Sequence, residues 1–214
     1  MDNILNTYSK INHLNVSREA CLDFERFIDL VIEKNNSINI ISKNTATKEI
    51  IRKRHVIDSV QAIDFIELNK DITDLGSGGG FPGIIIAIIV KHQKKKVKIN
   101  LFEKSHHKSS FLREVTRKLN LDTDIIQKDV FKMPEINSGS IIARAFKPMP
   151  ITLELVNEKF KKYENLILFM GKNGKKVLEE SINEWKFDYI EKKSLTSEDS
   201  FLLNIRNIKK KFLK

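Results

Sequence analysis

The chain has 214 residues, 41% hydrophobic and 31% charged, with one cysteine and a net charge of +10 at pH 7. That length suits one domain with a modest appendage, and 8 Gly and 4 Pro are too few for a globally disordered chain. The lone Cys21 excludes an intrachain disulfide and a cysteine-built zinc cluster, and no apolar run approaches the roughly 20 residues of a membrane-spanning helix.

The first ten residues are polar and lack the apolar stretch of a signal peptide, so the expected compartment is the cytosol. Residues 1–68 contain no glycine and read as a helical extension. Leu22, Phe27, Leu30 and Val31 recur at three- and four-residue steps opposite Glu25, Arg26, Asp29 and Glu33. That pattern predicts an amphipathic helix, broken at Asn35-Asn36-Ser37. A second helix is expected from Thr47 to Leu68, with Ile50, Ile51, Val56, Ile57, Val60, Ile63 and Phe65 as its apolar side.

From residue 69 to 214 short apolar runs alternate with helical windows. Strands are expected at Ile72 to Leu75, Val97 to Phe102, Thr123 to Gln127, Ser140 to Ala143, Leu166 to Met170, Tyr189 to Leu195 and Phe201 to Ile208. Helices are expected at Gly83 to Lys91, Lys108 to Leu119, Pro150 to Lys161 and Lys175 to Glu184. The alternation predicts a mostly parallel sheet with helices on both faces. Only Thr196 to Ser200 separate the last two strands, which permits a hairpin and an antiparallel final strand. The β-branched run Ile84 to Val90 favours a strand by composition, but it follows Pro82, and proline suits a first helical turn. We read it as a helix buried against the sheet.

The stretch Asp74-Leu75-Gly76-Ser77-Gly78-Gly79-Gly80-Phe81-Pro82-Gly83 links the first strand to that helix. A loop of this glycine density brings backbone close to a ligand where a Cβ would clash. Two registers fit. Gly78, Gly80 and Gly83 match the dinucleotide fingerprint, whereas Asp74, Gly76, Gly78 and Gly80 match the acid-x-G-x-G-x-G pattern of S-adenosylmethionine-dependent methyltransferases. A P-loop is excluded, since no Gly-Lys-Ser/Thr follows. Glu103 ends the second strand, where a carboxylate can accept both ribose hydroxyls of a nucleoside ligand.

Further segments occur in order with that loop: Arg54-His55-Val56-Ile57-Asp58-Ser59, Phe102-Glu103-Lys104-Ser105 with Lys108 and Phe111-Leu112, and Ala143-Arg144-Ala145-Phe146. Together, from about Phe24 to Glu180, they resemble the bacterial RsmG (GidB) family; Asn39-Ile40-Ile41-Ser42 also resembles a family segment. The resemblance implies a class I, Rossmann-like methyltransferase fold (residues 69–214) packed as one unit with the helical extension (1–68). It implies S-adenosylmethionine as donor and N7 of a guanine in 16S ribosomal RNA, within the small subunit or its precursor, as acceptor. Cofactor contacts then fall on Gly76, Phe81, Val130, Phe131 and Arg144, beside Asp74, Gly78 and Glu103 from the loop pattern and the end of the second strand. Arg144 is also the candidate catalytic residue, through orientation of cofactor or guanine. Arg54, His55 and Phe146 become candidates for substrate binding, as does Lys172, which directly follows Met170-Gly171, the pair that stands where the family has Lys-Gly.

Guanine N7 carries a lone pair and no proton, so the reaction needs alignment and a dry pocket rather than a general base. No metal site is expected: His55 stands without partner ligands, and the adjacent His106 and His107 cannot share one helix face. The charge surplus favours a polyanionic partner but serves solubility equally well. The rival functions are methylation of another RNA, a protein or a small molecule; nucleotide-dependent oxidoreduction; and RNA binding without catalysis.

Overall fold

The structure, a computed structural model, describes residues 4–211; the outer ends of the expected segments, 1–3 and 212–214, lie outside the described residues. Two short helical turns, Ile4–Thr7 and Ser9–Leu14, precede α1 (Arg18–Asn35). Ser17 caps α1 by accepting the Ala20 N–H. At the helix's other end the Asn35 side chain accepts the Ile40 and Ile41 N–H groups. The buried face of α1 comprises Ala20, Cys21, Phe24, Phe27, Ile28 and Val31. Leu22 is exposed and Leu30 half-buried, so the true stripe is rotated from the expected one and contains Phe24 and Ile28.

The second helix, α2, spans 48–65 and is irregular. An α turn (Lys48–Ile51) leads into a π turn (Arg52–Ile57), then Asp58–Val60 and a 3-10 end, Gln61–Phe65. It stops before the expected Leu68 because Ile66 is already extended. The remaining helices are α3 (Gly83–His92), α4 (His106–Lys118), α5 (Met149–Lys159) and α6 (Gly174–Glu184).

The strands are β1 (Ile72–Leu75), β2 (Ile99–Phe102), β3 (Thr123–Ile126), β4 (Ser140–Arg144), β5 (Asn165–Met170), β6 (Trp185–Lys193) and β7 (Phe201–Lys210). They form one sheet in the order β3-β2-β1-β4-β5-β7-β6. Strands β1 to β5 pair in parallel, and β7 runs antiparallel to both β5 and β6. The last hairpin is longer than expected, since β6 begins at Trp185 and β7 ends at Lys210. A small parallel pair, Ile136–Asn137 with Phe160–Lys162, is too short to leave a pattern in the sequence.

Ile84 to Val90 is helical and wholly buried. Two parallel neighbours such as β1 and β2 must be joined by a crossover, and a helix is the usual solution. Topology therefore overrides β-branching here. One face of the sheet carries a core built with α1, α2, α3 and α4, including Phe24, Phe27, Ile86 and Leu112. The other face packs Leu75, Leu153, Val156, Leu168 and Leu178 beneath α5 and α6.

The extension is tied to the sheet layer by apolar and charged contacts. The Phe27 and Phe81 rings lie 5.0 Å apart. Buried Asp23 accepts Lys91 Nζ at 2.9 Å and faces His92 Nε2 at 2.8 Å, at the end of α3. Within the extension, Arg52 donates twice to Glu25 at 2.8 Å, and the Tyr8 hydroxyl donates to the same carboxylate.

Candidate active site at the carboxyl ends of the parallel strands

The loop after β1 turns on residues with positive φ, among them Gly78 at +55°. A Cβ at Gly78 would meet nothing nearer than 3.7 Å, so its Cα faces open space above the sheet. That space is a cleft of about 510 Å³ lined by Gly76, Gly78, Phe81, Glu103, Val130 and Phe131 among others. Its volume lies within the roughly 300–1,000 Å³ usual for small-molecule sites.

Glu103 closes one side. It is 8% exposed, and its two carboxylate oxygens accept the N–H groups of Gly78 (2.9 Å) and Ser105 (2.7 Å). Each oxygen keeps a further lone pair for a ligand hydroxyl. The 3-10 turn Val130–Lys132 supplies the opposite wall, and Asp129 caps it by accepting the Phe131 N–H at 3.1 Å. Phe131 stacks on Phe146, with centroids 6.0 Å apart and planes 18° from parallel. Phe146 in turn covers Gly76 and leaves no room there for a side chain.

Asp74 is expected to touch the cofactor, but it does not line the cleft. It lies 1% exposed behind the loop, where Oδ2 accepts the Gly83 N–H at 3.1 Å and braces the start of α3. Burial pushes its carboxyl up to about 7; hydrogen bonds from Ser77 and Gly83 and the charge of Arg144 oppose the rise, and the Glu103 charge adds to it.

Arg144, at the end of β4, meets α2. Its Nη2 lies 3.2 Å from Asp58 Oδ2 and also donates to the Arg54 carbonyl, while Nη1 lies 3.3 Å from His55 Nδ1. Its guanidinium also sits 5.8 Å from the centre of the Phe169 ring. Because a guanidinium only donates, His55 accepts at Nδ1 and carries its proton on Nε2, which is buried without a partner. Burial first, then the Arg144 and Arg54 charges, lower His55 to about 4. His55 is therefore neutral at physiological pH. Its ring lies 5.0 Å from Phe81, on the wall of the cleft.

The structure thus gathers Gly76, Gly78, Phe81, Glu103, Val130, Phe131, Arg144, His55 and Phe146 around one cleft. It does not bring the side chains of Arg54 or Lys172 to that wall; both are exposed, and Arg54 takes part through its carbonyl. Sequence reasoning assigns no site role to Ile40, Ile41, Asp129 or the lysines Lys104, Lys128 and Lys147, which also line the cleft. The lysines carry a readable signal: each lies just beyond the carboxyl end of a parallel strand.

This strand order, with the glycine loop after its first strand and the acid after its second, defines a class I S-adenosylmethionine-dependent methyltransferase. Solved structures with the same fold include a SAM-dependent methyltransferase from Aquifex aeolicus (TM-score 0.55, 13% identity, covering 82% of this chain and 95% of that one). The PH0226 protein of Pyrococcus horikoshii is also similar in fold (TM-score 0.58, 13% identity, covering 83% and 99%). Residues 20–206 match the family described as GidB, rRNA small subunit methyltransferase G, and the chain belongs to that family. A relative from Pelagibacter ubique, named ribosomal RNA small subunit methyltransferase G, is 56% identical across 99% of this chain and 100% of its own length. One of the same name from Ruegeria pomeroyi is 32% identical across 92% and 96%.

Proposed function

We propose that this protein transfers the methyl group of S-adenosylmethionine to N7 of a guanine in 16S ribosomal RNA, in the small subunit or its precursor. The observation that carries the reading is the cleft formed by the glycine loop and Glu103, in a chain of this family. When bound, S-adenosylmethionine supplies an electrophilic methyl group.

The residues fit such a donor. Gly78 leaves open the space that a Cβ would fill, Glu103 retains acceptors for ribose hydroxyls, and Val130, Phe131 and Phe81 offer apolar walls. Gly76 lets Phe146 close over the loop, and Asp74 holds that loop from behind. Arg144 acts by position: its donors are engaged by Asp58, His55 and the Arg54 carbonyl, so it locks α2 against the end of β4. N7 needs no base, and a neutral, desolvated His55 suits a site that orients rather than deprotonates. Arg54 and Lys172, exposed beyond the cleft, are assigned to RNA phosphates.

In this reading segments 1–68 and 69–214 work as one unit, because His55 and Asp58 of the first meet Arg144 of the second. Ribosome assembly places the protein in the cytoplasm, and methyl transfer to N7 calls for no metal. Among the described residues no helix is long and apolar enough to cross a membrane. The reading is tested with purified protein, tritiated S-adenosylmethionine and small subunits that lack the modification. Label in 16S RNA, lost in Glu103→Ala together with about 1–3 kcal/mol of donor affinity, is expected. Label in protein or in another RNA would contradict the proposal.

A further inference from the structure

Between α1 and α2 the chain runs through segment 36–47, which holds no strand and one short 3-10 turn, Lys43–Thr45. Two of its residues, Ile40 and Ile41, line the donor cleft. They lie directly on the glycine loop: a Cβ at Gly79 would come within 3.0 Å of Ile40 Cγ2 and 3.2 Å of Ile41 Cγ2. Ile40 is 4% exposed, so this apolar wall is packed against protein rather than hanging in solvent. A wall of the methyl-donor site is thus supplied by the helical extension.

Resting on the methyltransferase reading, we propose that Asn35 is a positioning residue for S-adenosylmethionine. It fixes Ile40 and Ile41 as a wall over the donor without touching the donor itself. Asn35 is the last residue of α1 and stands outside the cleft lining. Its Oδ1 accepts the Ile40 N–H at 2.8 Å and the Ile41 N–H at 2.9 Å. An amide oxygen has two lone pairs, and both are used here. Among the described residues Ile40 and Ile41 make no other hydrogen bond, and neither sits in a helix or strand that would hold it. One side-chain oxygen therefore decides where the wall stands. Its mooring is firm, because Ile28 and Val31 on the preceding turns of α1 are fully buried. A segment held beforehand in its bound conformation spares the donor the cost of ordering it. The Asn35 amide nitrogen makes no hydrogen bond among the described residues, so only the oxygen is needed.

Calorimetry with S-adenosylmethionine and hydrogen exchange on the donor-free protein test this together. Asn35→Ala is expected to weaken donor binding about tenfold, roughly the net worth of one or two neutral hydrogen bonds. The Ile40 and Ile41 amides should then exchange freely until donor is added. Asn35→Asp keeps an oxygen of the same reach and is expected to return both readouts to wild type, although a carboxylate at a helix C-terminus lowers the melting temperature. In an Ile41→Ala background the Asn35→Ala penalty should shrink, because the two act through one wall. Unchanged donor affinity in folded Asn35→Ala, Asn35→Asp binding no better than Asn35→Ala, or full additivity with Ile41→Ala overturns the proposal. Should Asn35→Ala not fold, wild type decides: Ile40 and Ile41 amides that exchange at the rate of unbonded amides overturn it, and protected ones support it. A wild type that binds no S-adenosylmethionine overturns the methyltransferase reading itself, and the positioning role with it.

Discussion

Gly78 and Gly83 belong to one loop, yet a side chain at each would fail for different reasons. At Gly78 the added atoms enter the donor cleft from a backbone at φ +55°, where an L-residue costs about 1–2 kcal/mol and a β-branched one more. At Gly83 a Cβ would come within 2.2 Å of Leu101 and 2.5 Å of Asp74 Oδ2. Overpacking of that kind costs about 1–3 kcal/mol. Gly78→Val should therefore abolish S-adenosylmethionine binding with a small loss of stability, and Gly83→Ala should lower the melting temperature first. Calorimetry alongside thermal melts separates the two; equal profiles would contradict the assignment. Asp74 and His55 make opposite contributions to stability with pH. The Asp74 carboxyl, raised to about 7, stabilises the fold while protonated. That contribution is complete below its unfolded value of about 3.9 and lost as pH rises through 7. For His55, lowered to about 4, the contribution is present above the unfolded value of about 6.5 and lost as pH falls through 4. Urea titrations should show wild type losing stability relative to Asp74→Asn as pH rises from about 4 to 8. A constant difference between the two proteins would show that Asp74 is not held protonated.

The meeting of α2 with β4 turns on one guanidinium. Arg144 and Asp58 are 19% and 12% exposed at their side chains, so removing Arg144 strands a nearly buried carboxylate. Breaking such a pair costs about 3–5 kcal/mol, and the partial exposure puts Arg144→Ala near the lower end. The variant should lose stability and methylation together, whereas a purely catalytic arginine would lose activity at an unchanged denaturation midpoint. The π turn at Arg52–Ile57 makes part of this contact, through the Arg54 carbonyl and His55, and is a device frequent at functional sites. No pattern of apolar residues announces it, because a single extra residue in a turn leaves the local composition unchanged. Much else is legible. Pro82 and the glycines mark where β1 gives way to α3, and the short gap at Thr196 to Ser200 marks the final hairpin. The stripe on α1 is misplaced at Leu22 because periodicity gives a helix's period but not which of two overlapping faces meets the core. Likewise the sequence marks Asp74 as important, but its role as a brace depends on a 3.1 Å contact with Gly83 that only the folded loop creates. The depressed basicity of His55 comes from burial and from Arg144, remote in sequence, and has no local signature.

Across the protein the surplus of +10 is not spread evenly in its consequences. Many lysines are neutralised in ion pairs, such as Lys48 with Asp29 and Lys98 with Asp124. Among the described residues Lys104, Lys128 and Lys147 form none, and all three stand on the wall of the donor cleft. These lysines are available to phosphates next to the target. Their substitution by glutamine should lower the log–log salt dependence of RNA binding by about 0.7–0.9 for each phosphate left unneutralised, while Lys48→Gln should leave the slope unchanged. Equal slopes for both sets would return the charge to a role in solubility. The proposed function specifies one product, a guanine methylated at N7 in 16S RNA. Borohydride reduction followed by aniline cleavage breaks an RNA chain at N7-methylguanine. Small subunits lacking the modification, treated with the purified protein and S-adenosylmethionine, should yield one new cleavage in 16S RNA, absent when Gly78→Val replaces wild type. Transfer of label without that cleavage, or cleavage scattered over many guanines, would contradict the account.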